Sequence, residues 1–521
     1  MSSVRQLDAE FNADPRPLRH VRVAIVGAGF AGIGAAIALQ RAGIEFAIFE
    51  RSRELGGTWR DNTYPGCKCD VPSHLYSFSF ALNPDWTRTY SSQREIQEYL
   101  QAIAQRFDIV RHVRFNHELI GADWNEDQQV WRLETSGGPL TANFLISGCG
   151  ALSEPALPSL TGLPDFQGVA FHSAAWNHDY DLADKRVAVI GTGASAIQFV
   201  PQIQPRVRRL YQFQRTPPWI LPHPDRPIPA GRRALYRRFP LLQRLARWSI
   251  YWTQEMVAIV FTRFPHRGKF IKRHAQRHLG RQISDPVLRA KLTPAYEPGC
   301  KRILISNDYY PAIAAPNAEL ITEPISRVGA RSIVTADGRE REIDALIFGT
   351  GFQVTDNPMA HRIRGRHGRS LADVWADGAQ AHRGTTAPGF PNLFLMTGPN
   401  TGIGHTSLLV MIEAQLPYIV ECLRHLERRR LVTFEVRADA CQAFNDSLGR
   451  RMQRTVWLKG GCISGYLDRR GRNTTLWPDF TWKYRRLMRR FDARNYLFTA
   501  QQKSQPPRLE DPSGHQAVAA S

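Results

Sequence analysis

The amino-acid sequence predicts an α/β protein with two Rossmann-like units and a helical insertion in the second unit. Two apolar, β-branched segments are each followed by a glycine-rich turn and a helix, which is the pattern of a β-α-β unit. The two turns begin at Gly27 and Gly191, and a basic stretch with helical periodicity, residues 226–291, interrupts the second unit. A chain of 521 residues is long enough for two to four domains.

The first unit begins with a strand at residues 21–26, and a small-residue helix is predicted from Ala31 to Ala42. In the turn, Gly27 allows the tight bend, Gly29 lets the backbone approach a pyrophosphate, and Gly32 lets helix and strand pack closely. The next strand ends at Glu50, whose carboxylate can accept hydrogen bonds from ribose hydroxyls and would repel a 2′-phosphate. We therefore expect FAD or NAD at this turn; the alternative is a glycine-rich turn that binds nothing.

The second unit has a strand at residues 186–190 and a helix that is predicted to start near Ser195. Its turn is formed by Gly191, Thr192, Gly193, Ala194, Ser195 and Ala196, with alanine in place of the third glycine. The following strand ends in Arg215 and Thr216. A guanidinium can pair with a 2′-phosphate, so this turn predicts NADPH, although Arg215 could also be an ordinary surface arginine. Two nucleotide sites with opposite charge selection imply hydride transfer from NADPH to a flavin.

Positive charge is concentrated in two parts of the sequence. The chain has a formal net charge of +21, of which residues 226–291 carry +14 and residues 424–490 carry +11. Apolar residues in the insertion recur at helical spacing, at positions 241, 245, 248, 252, 256 and 259. This combination suits a surface that rests against anionic lipid, and a solvated helical face is the plainer alternative. No nucleic-acid-binding motif accompanies the charge, so we expect no nucleic-acid partner.

Seven cysteines at irregular spacing predict reduced thiols. Cys67 and Cys69 lack a second pair at zinc-site spacing, so we expect no metal. No apolar core of a signal peptide and no run of 18 uncharged apolar residues is present. These features predict a cytoplasmic protein, with a peripheral membrane contact through the insertion as an option.

Two longer motifs identify a family. The first runs from Gly57, Thr58 and Trp59 to Asp70 (GTWRDNTYPGCKCD), and the second covers residues 166–176 (FQGVAFHSAAW). Together they resemble the fingerprints of type I Baeyer–Villiger monooxygenases, which are class B flavin-dependent monooxygenases. The resemblance extends from about residue 20 to 490, and it implies FAD in the first unit and NADPH in the second.

The resemblance also implies a reaction. NADPH reduces the flavin, which forms a C(4a)-peroxyflavin with dioxygen and converts a hydrophobic ketone to an ester or lactone. It places the guanidinium that stabilises negative charge on Arg302, with Asp70 as its partner, and Lys301 near the 2′-phosphate. Gly57, Thr58 and Trp59 are expected around the flavin. The alternatives are an interdomain salt bridge for Arg302, a loop-stabilising acid for Asp70 and a solvated lysine for Lys301. His172 in the second motif is expected to couple rotation of the NADPH domain to flavin chemistry; the alternatives are a structural histidine and a direct acid or base.

One departure from the family pattern concerns the segment from Cys462 to Tyr466, where Gly465 replaces a tryptophan. In relatives this loop folds over the nicotinamide and the substrate, so the change predicts an enlarged pocket or a poorly closing lid. Three other functions remain open: oxygenation of sulfur or nitrogen, NADPH oxidation without oxygenation, and a catalytically degenerate flavoprotein that binds a membrane.

The predicted domain order follows from these assignments. Residues 1–20 form a polar leader and residues 21–155 the first part of the FAD-binding domain. The NADP-binding domain covers 156–330, with the helical insertion at about 222–300. Residues 331–495 complete the FAD-binding domain and carry the lid segment, and residues 496–521 are expected to be a disordered tail.

Overall fold

Strands and short helices alternate along the chain, for which a computed structural model describes residues 19–263, 268–354 and 358–500. The first part contains β1 (His20–Val26), α1 (Phe30–Arg41), β2 (Ala47–Phe49), α2 (Thr58–Asp61), α3 (Gln93–Arg106), β3 (Val113–Arg114), β4 (Leu119–Asn125), β5 (Val130–Thr135) and β6 (Gly138–Ser147). The middle part contains β7 (Val169–His172), β8 (Arg186–Ile190), α4 (Ala196–Ile203), β9 (Arg209–Phe213), β10 (Ile220–Leu221), α5 (Ala230–Arg238), α6 (Pro240–Thr262), α7 (Lys269–Gln282), α8 (Pro286–Lys291), β11 (Leu304–Ile305), α9 (Tyr309–Ile313), β12 (Ala318–Ile321), β13 (Ile325–Val328), β14 (Ser332–Thr335), β15 (Glu340–Glu342) and β16 (Ala345–Phe348). The last part contains α10 (Pro358–Arg362), β17 (Ile363–Arg364), α11 (Leu371–Val374), β18 (Leu393–Leu395), α12 (Leu408–Arg429), β19 (Leu431–Val436), α13 (Ala438–Met452), α14 (Val456–Lys459), α15 (Thr481–Met488) and β20 (Tyr496–Ala500).

The first sheet has eight strands and is built around β1. Its order is β17-β4-β5-β6-β1-β2-β3, and β18 also pairs with β6. In the parallel centre Ile25 of β1 lies opposite Ile48 of β2 on one side and Ile146 of β6 on the other. Helices α1 and α12 pack on this sheet through apolar side chains. Strands β17 and β18 come from the last part of the chain, so residues that follow the second domain in sequence complete the first sheet.

The second sheet has five parallel strands in the order β12-β9-β8-β16-β7. Val189 of β8 lies opposite Gln212 of β9 and Ile347 of β16. Helices α5 to α8 lie in sequence between β9 and β12, which are neighbours in this sheet. The predicted fold class is thus confirmed: two Rossmann-like units, with a helical insertion in the second.

Two predicted boundaries differ from the structure. Strand β16 pairs with β7 and β8, so the second unit extends past residue 330, to at least Phe348. A short buried apolar strand looks the same in sequence whichever sheet it joins, because only its pairing partners differ. Residues 496–500 form β20, which pairs with β19, so they are not part of a disordered tail. The predicted leader up to residue 18 and the tail from 501 lie outside the described residues.

The expectation of seven reduced thiols is wrong for one pair. Cys300 and Cys462 form a disulfide across a sequence separation of 162 residues, whereas the other cysteines, Cys67, Cys69, Cys149, Cys422 and Cys441, are free thiols. Such a separation leaves no spacing signal, since the pairing depends on the fold. Within the described ranges, no group of three or more potential metal ligands is present. None of the helices described here is long and apolar enough to cross a membrane.

Candidate active site

The first glycine turn connects β1 to α1 and depends on the absence of side chains. Gly27 has a φ of +95°, and a Cβ atom on Gly32 would overlap the carbonyl oxygen of Gly27. Gly57, with a φ of +54°, lies against Gly29, since a Cβ on Gly57 would be 3.3 Å from the Cα of Gly29. The start of the first long motif therefore packs on the glycine turn. Backbone atoms alone form this surface, as close approach to a pyrophosphate requires.

Glu50 holds the same turn in place. Its carboxylate accepts hydrogen bonds from the backbone nitrogens of Ala28 at 2.8 Å and Ser52 at 3.0 Å. It also pairs with Arg60 at 2.9 Å, and its residue is only 4% exposed. One carboxylate can accept about four hydrogen bonds, so these partners leave room for a ribose hydroxyl. The contact to ribose stays a prediction.

The second glycine turn has a comparable geometry with one compensation. Gly191 has a φ of +108°, and a Cβ there would overlap the carbonyl oxygen of Gly349. The alanine that replaces the third glycine, Ala196, lies close to Gly349, whose own Cβ would be 3.2 Å from that of Ala196. Gly349 follows β16 directly and therefore supplies the space that the missing glycine would have given. A Cβ on Gly193 would meet only ordinary contacts, so its role concerns a ligand rather than packing.

Positive charge collects at the edge of the second turn. Arg215 is exposed and forms no ion pair with any carboxylate of the described residues. Burial and the charge of Arg215 lower the pKa of Lys301, whose Nζ lies 5.4 Å from the ring centre of Tyr296. The hydroxyl of Thr192 donates to the carbonyl of Thr216 at 3.2 Å, which ties the end of β9 to the turn. Two neighbouring cations without a carboxylate partner suit a phosphate.

Arg302 and Asp70 form a two-pronged ion pair. The Nε and Nη2 atoms of Arg302 donate to the two carboxylate oxygens of Asp70 at 2.6 and 2.7 Å. The arginine side chain is 40% exposed, so part of the guanidinium faces open space. The charge of Asp70 raises the pKa of Arg302 above its ordinary value, against the opposing effect of burial. The guanidinium of Arg302 therefore stays protonated near neutral pH.

The first motif also connects the two units through Gln198 of α4. The hydroxyl of Tyr64 donates to Oε1 of Gln198 at 3.0 Å. The amide of Gln198 donates to the carbonyl of Lys68 at 3.0 Å. A Cβ on Gly66 would be 2.8 Å from the carbonyl oxygen of Gln198, so the motif loop lies directly on α4. Gln198 was not predicted from the sequence; the available signal is one glutamine among the apolar residues that open this helix.

His172 lies at the end of β7 and is 5% exposed. Its Nδ1 accepts a hydrogen bond from the backbone nitrogen of Ala174 at 3.1 Å, and its ring lies 5.8 Å from that of Phe352. Burial lowers the pKa of His172, so it is neutral near pH 7. Both partners follow strands of the second sheet, so these contacts show a packed, hydrogen-bonded histidine of the second unit, and its coupling role stays a prediction.

A cavity of about 1760 Å³ lies between the two units. The predicted site residues that line it are Thr58, Trp59, Asp70, Gly191, Thr192, Gly193, Ala194, Ser195, Arg215, Thr216, Lys301 and Arg302. The other predicted residues do not line the cavity and lie at or against the first glycine turn; they are Gly27, Gly29, Gly32, Glu50 and Gly57. Its volume exceeds the several hundred Å³ of a typical single-ligand pocket. The space therefore suits more than one bound molecule.

The wall of this cavity includes Gly465 and Tyr466 of the predicted lid segment. A Cβ on Gly465 would have no atom within 4 Å, so the position opens onto free space. The disulfide joins this segment to the residues just before Lys301 and Arg302. Gly460 makes room for the bond, since a Cβ there would be 2.6 Å from the Cβ of Cys300. The lid and the arginine segment are thus covalently connected.

Comparison with known proteins gives matches along most of the chain. The model of the flavin-binding monooxygenase-like family matches residues 20–361. A Baeyer-Villiger monooxygenase of Pseudomonas aeruginosa is 51% identical over 498 residues, which cover 95% of this chain and 94% of that protein. Another protein of that name, from Streptomyces coelicolor, is 50% identical over 479 residues and is covered to 92%, as is this chain.

Solved structures give the same result for the fold. Cyclohexanone monooxygenase from Rhodococcus sp. Phi1, bound to NADP+, has a TM-score of 0.82 at 28% identity, with 93% of this chain and 100% of that chain covered. Oxidized steroid monooxygenase bound to NADP has a TM-score of 0.81 at 27% identity, with 92% and 100% covered.

Proposed function

Since the chain belongs to the flavin-binding monooxygenase-like family, as a type I Baeyer–Villiger monooxygenase that uses FAD and NADPH, we propose that it oxidises a hydrophobic ketone to an ester or lactone. One oxygen atom of dioxygen enters next to the carbonyl carbon, and the other leaves as water. When bound, FAD supplies the redox chemistry, by the C(4a)-peroxyflavin route that the sequence resemblance implies.

The Arg302–Asp70 pair is the observation that carries this proposal. Oxygen insertion beside a carbonyl builds up negative charge on oxygen, and a guanidinium stabilises such charge without losing its proton. Asp70 fixes the plane of the guanidinium through two hydrogen bonds and leaves the remaining N–H groups free. Because both residues line the cavity between the two glycine turns, Arg302 can act on a ketone held there.

The residues around the turns fit the two cofactors. Gly27, Gly29, Gly32 and Gly57 leave bare backbone for the FAD pyrophosphate, and Glu50 is placed for its ribose. We assign the turn from Gly191 to Ser195 to the NADPH pyrophosphate, and Arg215, Thr216 and Lys301 to the 2′-phosphate. Thr58 and Trp59 line the cavity and are assigned to the flavin. The ring nitrogen of Trp59 donates a hydrogen bond to the hydroxyl of Tyr76 at 2.9 Å, which fixes the indole.

The experiment uses the FAD-loaded protein, NADPH, a panel of cyclic, linear, aromatic and polycyclic ketones, and ¹⁸O-labelled dioxygen. Mass spectrometry should find an ester or lactone that contains one ¹⁸O atom. In Arg302→Ala, NADPH should still bleach the flavin, but ester formation should fall by roughly a hundredfold or more, as for the loss of one oxyanion donor. Arg302→Lys is the matched control that keeps the charge and loses the two-pronged geometry.

Three results contradict the proposal. Equal ester yield in Arg302→Ala would remove the arginine from its role. Oxidation of sulfides or amines with no ketone converted would indicate an S- or N-oxygenating enzyme. Hydrogen peroxide as the sole product with every substrate would indicate an NADPH oxidase.

A further inference from the structure

Helix α6 of the insertion turns polar side chains toward the rest of the protein. They recur every four residues and are Gln243, Arg247, Tyr251 and Glu255. Arg247 donates to the carbonyl oxygens of His74 and Leu75 at 2.8 and 2.9 Å. Glu255 accepts a hydrogen bond from the backbone nitrogen of Thr481 at 3.0 Å. These buried bonds fix the rotation of the helix about its own axis.

The opposite side of α6 is apolar and exposed. Five side chains at intervals of three or four residues form this outer stripe, which consists of Leu241, Leu245, Trp248, Trp252 and Met256. Trp248 is 61% exposed and Trp252 38%, and their rings lie 6.1 Å apart. The helical periodicity of these residues is evident from sequence. A surface helix normally buries its apolar stripe against the protein, whereas here the apolar stripe faces outward.

A continuous apolar stripe on a protein surface is typical of a site that binds another protein or a membrane. Tryptophan in particular favours the boundary between water and lipid, where its ring is buried and its N–H stays hydrated. The outer stripe therefore has the composition of a helix that lies at a membrane surface. The difference is that the polar side of α6 bonds to the rest of the protein, whereas in an isolated interfacial helix it would face water.

Charge next to the outer stripe identifies the partner. Residues 230–262 contain six arginines and one acid, and that acid, Glu255, is buried. Arg232, Arg238 and Arg244 are exposed, and none of them forms an ion pair within the described parts of the chain. Arg244 lies in the helix between Leu241 and Leu245, directly beside the stripe. The surface thus combines apolar contact with uncompensated positive charge.

We propose that the outer stripe of α6 and its neighbouring arginines dock on an anionic phospholipid membrane, with the helix lying in the headgroup region. A second copy of this chain would bring the same arginines face to face, which like-charge repulsion disfavours. A nucleic acid would use the positive charge but leave the apolar stripe in water.

The docked helix also connects to the cavity wall. Phe261, near the end of α6, lies against Gly299, whose Cβ would be 2.6 Å from the phenylalanine ring. Gly299 precedes the disulfide and Arg302. If the proposed ketone oxidation holds, docking brings the enzyme to a membrane in which a hydrophobic substrate is dissolved; docking itself does not depend on that reaction.

The experiment measures co-sedimentation of the FAD-loaded protein with vesicles. We expect binding to vesicles of phosphatidylglycerol and phosphatidylcholine, no binding to phosphatidylcholine alone, and loss of binding as salt is added. Trp248→Ser/Trp252→Ser should weaken binding roughly tenfold or more, and Arg244→Gln about fivefold. Ile120→Ser, which changes a side chain that is 50% exposed on β4, is the matched control and should bind normally.

Flavin reduction by NADPH without vesicles should be unchanged in all of these variants, which shows that they are folded. Absence of binding at low salt overturns the proposal, and so does equal binding by the double tryptophan variant. A dimer that dissociates in the double variant, together with no vesicle binding, would assign the stripe to a second copy. Vesicle binding without any ketone oxidation would leave docking intact and refute the proposed function.

Discussion

Arg215 and Lys301, the two cations that we assign to the 2′-phosphate, are far apart in sequence but close in the structure. Arg215 lies two residues after β9, whereas Lys301 follows the insertion, and burial together with the charge of Arg215 lowers the pKa of Lys301. Repulsion between two cations costs free energy in the unliganded protein. A 2′-phosphate bound between them would remove this repulsion, so the proposed site would favour NADPH over NADH.

We therefore predict that Arg215→Ala raises the KM for NADPH by roughly tenfold to a hundredfold, because a charge-assisted hydrogen bond is lost. The KM for NADH should change little, since NADH has no 2′-phosphate. Steady-state flavin reduction with each nucleotide measures both values. Arg208→Ala, an exposed arginine of the same unit that does not line the cavity, is the control. Equal effects of Arg215→Ala on both nucleotides would contradict the assignment.

At this scale, residues whose role follows from backbone chemistry could be predicted from sequence. Gly32 and Gly191 lie where a Cβ would overlap backbone, and Gly27 has a positive φ, as the glycine pattern predicts. Arg302 and Asp70 were predicted as a pair through a motif, and they lie together. Gln198 and the compensation of Ala196 by Gly349 could not be predicted, because each depends on a contact between segments more than 100 residues apart.

Among the larger elements, the lid segment differs from its family pattern at a single position. Gly465 lines the cavity, and a Cβ atom there would meet no other atom within 4 Å. A side chain at this position therefore begins in free space at the cavity wall, and we expect a tryptophan there to occupy part of the cavity. The structure thus favours the enlarged pocket as the consequence of this glycine.

We predict that Gly465→Trp lowers kcat/KM for bulky polycyclic ketones relative to small cyclic ones by roughly tenfold, because its side chain fills the space that a large substrate needs. The melting temperature should stay within about 2 °C of the parent, since no packing is disturbed. Gly465→Ala adds only a methyl group and serves as the control. An unchanged substrate ratio in Gly465→Trp would show that this position does not limit substrate size.

The disulfide between Cys300 and Cys462 fixes the first residue of the lid segment, which runs from Cys462 to Tyr466. We predict that Cys462→Ser lowers the free energy of unfolding by about 2–5 kcal/mol, because closing a long loop restricts the unfolded chain. It should also raise the fraction of NADPH consumed without ester formation, since the lid is no longer held near Arg302. Urea unfolding and peroxide assays measure the two effects, and Cys441→Ser, which removes a buried free thiol, is the control.

A thiol count provides the direct check of the disulfide. Titration of the denatured, unreduced protein should find five thiols, and the reduced protein seven. Seven thiols before reduction would show that the disulfide is absent and that no covalent bond connects the lid segment to the residues before Arg302.

Patterns within one element predict its type but not its neighbours. Helical spacing in α6 was evident from sequence, yet only the structure shows that its apolar stripe faces outward and its polar residues inward. In the same way, β16 was predicted as a strand and assigned to the wrong domain, because alternation and apolar content do not specify the sheet.

At the scale of the whole molecule, hydride transfer requires the two units to bring the nicotinamide and the flavin close together. The chain crosses between the units more than once, and the first motif lies on α4 of the second unit through Gln198. The Gln198 contact is made with Lys68, which lies only two residues before Asp70 of the Arg302–Asp70 pair. A change at the interface should therefore alter hydride transfer without altering either cofactor site.

We predict that Gln198→Ala slows flavin reduction at saturating NADPH about tenfold, since loss of the interdomain hydrogen bonds lets the nicotinamide and the flavin move apart. The Kd values for FAD and NADPH should stay within about twofold, because neither glycine turn is changed. Stopped-flow absorbance of the flavin measures the rate. Gln204→Ala is the matched control, as this glutamine bonds Asn317 within the second unit alone. If both variants reduce the flavin at the parent rate, the Gln198 contact does not set the distance between the cofactors; if the Gln198→Ala rate falls together with NADPH affinity, the glutamine supports the NADPH site instead.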